Sequence, residues 1–156
     1  MKNKKSKSAF SMIELVFVIV IIGILAAVAI PRLSGTRDDA EIAKARVLVA
    51  SVRNALAMER QKRILRGNFT PITSVGSGTN VFDKFSDDGD GNTADVLEYA
   101  MASSTASGHW SIDESGTPIT YTFNQNSMDN VAFEINDKGK FVCVDENTTG
   151  CKTLTN

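Results

Sequence analysis

From Phe10 to Pro31 the chain reads FSMIELVFVIVIIGILAAVAIP, twenty-two residues carrying a single charge, Glu14. Length and apolarity meet the requirement for a helix crossing a hydrocarbon core of about 30 Å. No other stretch constrains the fold as strongly, because a helix apolar on every side must be covered by lipid or by protein. The acid near its start is the anomaly. A carboxylate at the centre of a membrane segment costs on the order of 2.5–3.5 kcal/mol on insertion scales, and such residues mark function.

Charge orients the segment. The formal net charge is −1, which gives no basic surface of the kind that binds nucleic acid. Lys2, Lys4, Lys5 and Lys7 all precede the apolar run, and removing those four from 17 basic residues leaves 13 against 18 acidic, or −5, for the remainder. Basic residues before a span place that end in the cytoplasm. The body of the chain is then expected beyond the inner membrane, where Cys143 and Cys151 can form and keep a disulfide.

Residues 1–9, MKNKKSKSA, followed by an apolar run, also fit the start of a cleaved secretory signal, and Ala27-Val28-Ala29 matches its small-residue cleavage site. Two features oppose that reading: the run is too long, and Glu14 interrupts it. Read residue by residue, Phe10, Glu14, Gly23 and Pro31 instead resemble the prepilin signature of type IV pilins and type II secretion pseudopilins. The resemblance covers 22 of 156 residues, with its cleavage position, acid, glycine and proline all in register. One residue departs from the pattern: Ala9 stands where the family usually has glycine before the cut.

The resemblance implies cleavage between Ala9 and Phe10 by a prepilin peptidase and N-methylation of Phe10. It implies assembly through pairing of Glu14 with the Phe10 amine of a neighbour, since either charge alone is costly in an apolar medium. The implied partners are further copies of the chain, minor pilin-like subunits, and an inner-membrane assembly platform with its ATPase. Within that family the expectation is a type II secretion pseudopilus subunit, with a type IV pilus pilin as the alternative. A non-polymerising membrane-anchored periplasmic binding module is the reading from another class, and Glu14 argues against it, because a simple anchor needs no acid.

Beyond Pro31, Ser34-Gly35-Thr36 reads as a polar joint and helix signals resume at Asp38-Asp39-Ala40-Glu41, acids suited to a helix N-terminus. Ile42, Ala45, Val49, Val52 and Leu56 recur at spacings of three and four, forming one apolar stripe. Basic residues from Arg60 to Arg66 and then Gly67 mark the C-terminal end. One helix from Phe10 to Arg66 would be about 85 Å long at 1.5 Å per residue, with a bend or local break expected at Gly23 and Pro31.

Residues 68–108 read as irregular, with a short helix over Ala94–Ala102. Gly67-Asn68-Phe69-Thr70-Pro71 is similar to a glycine–x–tyrosine–proline–threonine turn of many pseudopilins, with Phe69 for tyrosine and the last two residues exchanged. Asp88, Asp90 and Asn92 have the 1-3-5 oxygen spacing of a calcium loop, which Asp95 or Glu98 could complete. Thr93 and Tyr99 stand where that loop wants glycine and glutamate, so a solvated acidic turn competes with the metal. Calcium in some major pseudopilins is a further implication of the resemblance.

After Gly108 apolar residues alternate at period two, through Trp110/Ile112, Ile119/Tyr121/Phe123, Val131/Phe133/Ile135 and Phe141–Val144. An antiparallel meander with one apolar face follows, closed by the Cys143–Cys151 loop. The expected architecture is α+β: a long N-terminal helix packed on a C-terminal antiparallel sheet, pilin-like. Its parts are a leader at 1–9, a transmembrane and assembly helix at 10–31, an amphipathic second half at 32–67, and a periplasmic head at 68–156. His109 is the only histidine and has no acid or thiol partner in sequence. With no nucleophile motif, phosphate loop or zinc spacing, neither an enzyme nor a required cofactor is expected.

Overall fold

The computed structural model describes residues 10–89, 91 and 93–155, the side chains of residues 32–34 excepted. One helix, α1, spans Met12–Leu65. It starts on a capping box: the Ser11 N–H donates to Glu14 Oε2 at 2.9 Å and the Ile13 N–H to Ser11 Oγ at 3.3 Å. It ends in a Schellman motif, with the Asn68 N–H on the Arg63 carbonyl, the Gly67 N–H on the Ile64 carbonyl, and Gly67 at φ 79°. The helix runs without a terminus through Gly23, Pro31 and Ser34-Gly35-Thr36. Pro31 lacks one amide, and the helical run continues through it.

The chain forms two compact units, one ending at Arg37 and the other Asp38–Asn156. Within the second, Ala45, Val49, Val52 and Leu56 of α1 are buried in a core shared with two sheets. The larger sheet is a meander of β4 (His109–Asp113), β5 (Thr120–Asn124), β6 (Val131–Ile135) and β7 (Phe141–Cys143), all antiparallel neighbours. Its alternation places Trp110, Tyr121, Phe123, Phe133 and Phe141 in the core. The Arg53 Nε donates to the Phe141 carbonyl at 3.0 Å, tying α1 to the edge strand.

The smaller sheet, β1 (Val75–Ser77), β2 (Asn80–Phe85) and β3 (Met101–Ala102), occupies the stretch read as irregular. The helix expected over 94–102 is replaced by an isolated bridge from Asp95 to Lys84 and by β3. A register shift after Val75 and a positive φ of 58° at Phe82 put Val81 and Phe82 both in the core, which breaks the period-two signal. Gly76 permits that bulge: at φ 134° its Cβ would lie 2.7 Å from the Asn80 carbonyl oxygen. The Phe82 ring then sits 5.1 Å from Trp110 and 5.7 Å from Tyr121.

Tyr121 sets a pH limit. Its Oη accepts the Val75 N–H at 2.9 Å, and burial pushes its pKa from 10.0 up to about 12, opposed by that amide and aided by Glu114. Below pH 10 folded and unfolded chains both keep the proton. Between about 10 and 12 the unfolded chain releases it first, so stability falls as pH rises. The loss should be on the order of 2–3 kcal/mol, at 1.36 kcal/mol per unit. Denaturant unfolding across that window should show a steeper decline than in Tyr121→Phe, which starts lower by about 1–3 kcal/mol because the Val75 amide is orphaned.

Candidate assembly segment and its acid

From Phe10 to Ile30 the large apolar side chains of the first unit are exposed around the whole helix, Phe17 at 65% among them. The most apolar 18-residue window of α1 has no buried share, and α1 is long and apolar enough to cross a membrane. Packing within the chain therefore covers none of this surface. Lipid or other protein must, since fully burying one such side chain stabilises by about 1.5–3 kcal/mol.

Glu14 is the only acid in this segment, and its carboxylate turns back onto the helix start at the Ser11 amide. That contact satisfies one of the four amide donors that a helix N-terminus leaves open. Ser11-Met12-Ile13-Glu14 carries the S-x-x-E pattern of a capping box, a signal legible in the sequence that the membrane-span reading passed over. Phe10 lies just ahead of the cap and is exposed. The expected cut also involves Ala9, which lies outside the described residues. The expected pairing with Glu14 needs a free α-amine on Phe10, which only such a cut would supply.

The other expected sites lie in the second unit. Cys143 and Cys151 are bonded, with 6.1 Å between their Cα atoms. Cys151 sits on a helix that the sequence reading missed, α2 (Thr149–Thr155), capped by Thr148, whose Oγ1 accepts the Cys151 N–H at 3.2 Å. The bridge fastens α2 to β7, and Arg46 Nε donates to the Thr153 carbonyl at 2.9 Å from the other side. Replacing both cysteines by serine should cost about 2.5 kcal/mol in the chain-entropy estimate for so short a loop. Urea unfolding with and without reductant measures it, and only the wild type should respond to reductant.

Of the calcium-loop residues, Asp90 and Asn92 lie outside the described residues. Asp88 is buried, and its Oδ2 lies 3.9 Å from the Arg66 guanidinium. Among the described residues no group of three or more His, Cys, Asp or Glu side chains could hold a metal. Beside Asp88 lies a feature that the sequence did not reveal. Glu59 and Arg63, the second of them among the basic residues that mark the helix end, are buried together, 3.1 Å apart.

A helix that opens on a glutamate, leaves its apolar first part uncovered and leads into antiparallel sheets is a pilin-like layout. The model of the prokaryotic N-terminal methylation motif matches residues 4–30. The chain thus carries the N-terminal methylation motif ahead of a pilin-like layout of long helix and antiparallel sheets. Type II secretion system core protein G of Aeromonas hydrophila is 37% identical over 74 residues, 47% of this chain and 49% of that protein. The protein of the same name from Vibrio cholerae serotype O1 is 36% identical over 76 residues, 49% of each. The chain spans about half the length of these curated relatives. No solved structure matches. The apolar helix and these relatives fit anchoring in the inner membrane.

Proposed function

We propose that this chain is a structural subunit of a type II secretion pseudopilus. A prepilin peptidase cuts between Ala9 and Phe10, and Phe10 is methylated. The subunit waits in the inner membrane with its N-terminus in the cytoplasm and its head in the periplasm, then joins a filament through α1. The observation that carries this reading is the uncovered apolar helix with one acid, Glu14, at its start. Lipid covers the helix before assembly and neighbouring subunits cover it afterwards.

In the filament, Glu14 exchanges its own Ser11 amide for the charged Phe10 amine of a neighbour, a stronger acceptor–donor pair in a dry setting. That exchange sets the register. Energy for assembly comes from an ATPase acting through the inner-membrane platform, and minor pilin-like subunits complete the filament. The function uses no catalytic residue and requires no cofactor. Calcium on Asp88, Asp90 and Asn92 is a subsidiary part of the proposal, supported by their oxygen spacing. A calcium-dependent rise in Tm that Asp88→Ala abolishes is its check.

Mass spectrometry of the mature N-terminus tests the proposal. A chain beginning at N-methylated Phe10 is expected, and an intact leader or a start at Ile30 overturns it. A type IV pilus pilin is the second reading, favoured by the Cys143–Cys151 loop, since a C-terminal disulfide loop resembles that branch of the class. Neighbouring genes separate the two: a secretin with exoprotein genes for the first, a retraction ATPase for the second.

A further inference from the structure

The head carries a cationic groove and an acidic, aromatic ridge on different faces of α1. The groove is a cavity of about 530 Å³ between α1 and the β6–β7 turn, floored by Leu56 and Phe141 and walled by Arg53, Arg60, Lys138 and Lys140. No carboxylate lines it, and among the described residues none of these four cations has an ion pair. Among the described residues Arg53 and Arg60 spend hydrogen bonds only on main-chain carbonyls, those of Phe141 and of Phe69 and Thr70. Asp137 belongs to the same turn but does not line the cavity. An occupant needs an apolar body and an anionic edge.

Asp95–Tyr99 has both. Asp95 and Glu98 are exposed and without ion pairs among the described residues, and the Tyr99 ring is 78% exposed. Leu97 of this segment lines a shallow pocket together with Ala43, Val47 and Ser51 of α1. At 100° per residue those three positions lie on the face of α1 away from the buried Ala45–Val49–Val52–Leu56 stripe, whereas Arg53, Ala57 and Arg60 lie on one flank of that stripe, about a third of a turn away.

We propose that the groove of one subunit receives the Asp95–Tyr99 ridge of a second copy. Tyr99 lies on the Leu56–Phe141 floor, where the guanidinium groups can face its ring, and Asp95 and Glu98 pair with the lysines of the turn. Because groove and ridge are different surfaces on different faces of α1, the contact is heterologous. Each bound copy presents a free groove and a free ridge, so the contact propagates instead of closing as a pair. The proposal rests on the filament reading above and adds a contact between heads to the one through the N-terminal helices.

The test is a full-length chain carrying Lys140→Cys and Glu98→Cys together, expressed with its assembly machinery and mildly oxidised. A ladder of crosslinked multimers is expected, whereas either substitution alone gives dimers at most. Reversing the groove with Lys138→Glu and Lys140→Glu should shorten or abolish filaments, and adding Asp95→Lys and Glu98→Lys in the same chain should restore them. An unchanged Tm and an intact Cys143–Cys151 bridge in each variant exclude misfolding. Wild-type filaments without a ladder, or without rescue by the reversed ridge, overturn the head contact and leave the filament reading standing. A wild-type chain that forms no filament overturns both.

Discussion

A chain with Glu14→Ala is expected to stay in the membrane and to form no filaments. The apolar run loses its one charge, so insertion improves by on the order of 2.5–3.5 kcal/mol at most, the scale for an acid at the bilayer centre. The helix start loses the carboxylate that meets the Ser11 amide at 2.9 Å, a capping contribution of about 0.5–2 kcal/mol. Neither change removes the head or its disulfide. A buried Phe10 amine in a neighbour would be left without its partner, and an uncompensated buried charge costs about 3–5 kcal/mol. Repeated at every subunit, that cost stops growth. Glu14→Gln separates the two roles, because the amide oxygen can still accept the Ser11 N–H but carries no charge. Membrane fractionation together with electron microscopy of sheared material reads both outcomes, and filaments of normal abundance from either variant would refute the register set by Glu14.

The second large effect belongs to the head. Glu59→Ala should destabilise it by about 3–5 kcal/mol, because Arg63 would stay buried with its charge unmatched. The Arg63 side chain is wholly inaccessible, its Nε is 3.1 Å from Glu59 Oε1, and one Nη donates to the Ser86 carbonyl at 2.6 Å. The other Nη has no hydrogen-bond partner, so little remains to hold the cation once the carboxylate is gone. Replacing both residues, as Glu59→Ala with Arg63→Met, removes both desolvated charges and should recover most of the loss. A whole domain has only about 5–15 kcal/mol of stability, so denaturant midpoints will resolve the single from the double variant. Lys62 and Arg66 also lie within 4 Å of Glu59, at 3.9 and 3.6 Å, but both are exposed, and their loss should change little.

Legibility in the sequence followed the periodicity of each stretch. The meander from Trp110 to Cys143 alternates with one apolar face, and the observed strands fall on that alternation. The α1 stripe reads as clearly. Residues 75–102 do not, because the bulge at Gly76 and the positive φ at Phe82 put adjacent side chains on the same side, and β3 is only two residues long. Helix α2 escaped for another reason: TGCKTLT has no apolar repeat, and its place is set by Thr148, the disulfide and the burial of Leu154. The burial of Glu59 and Arg63 was not legible because spacing alone cannot tell a paired buried charge from an exposed one.

The apolar run from Phe10 to Pro31, its single acid and the lysines before it determine by themselves that this chain needs a cover it does not carry. Hydrophobicity and charge are properties of residues, so they survive without a fold. Tertiary structure alone decided that Arg63 is buried against Glu59, and that four cations gather around an apolar floor on a different face of α1 from an exposed Asp95–Tyr99 ridge. Those are relations between residues distant in the chain or turned by backbone geometry, and only packing specifies them.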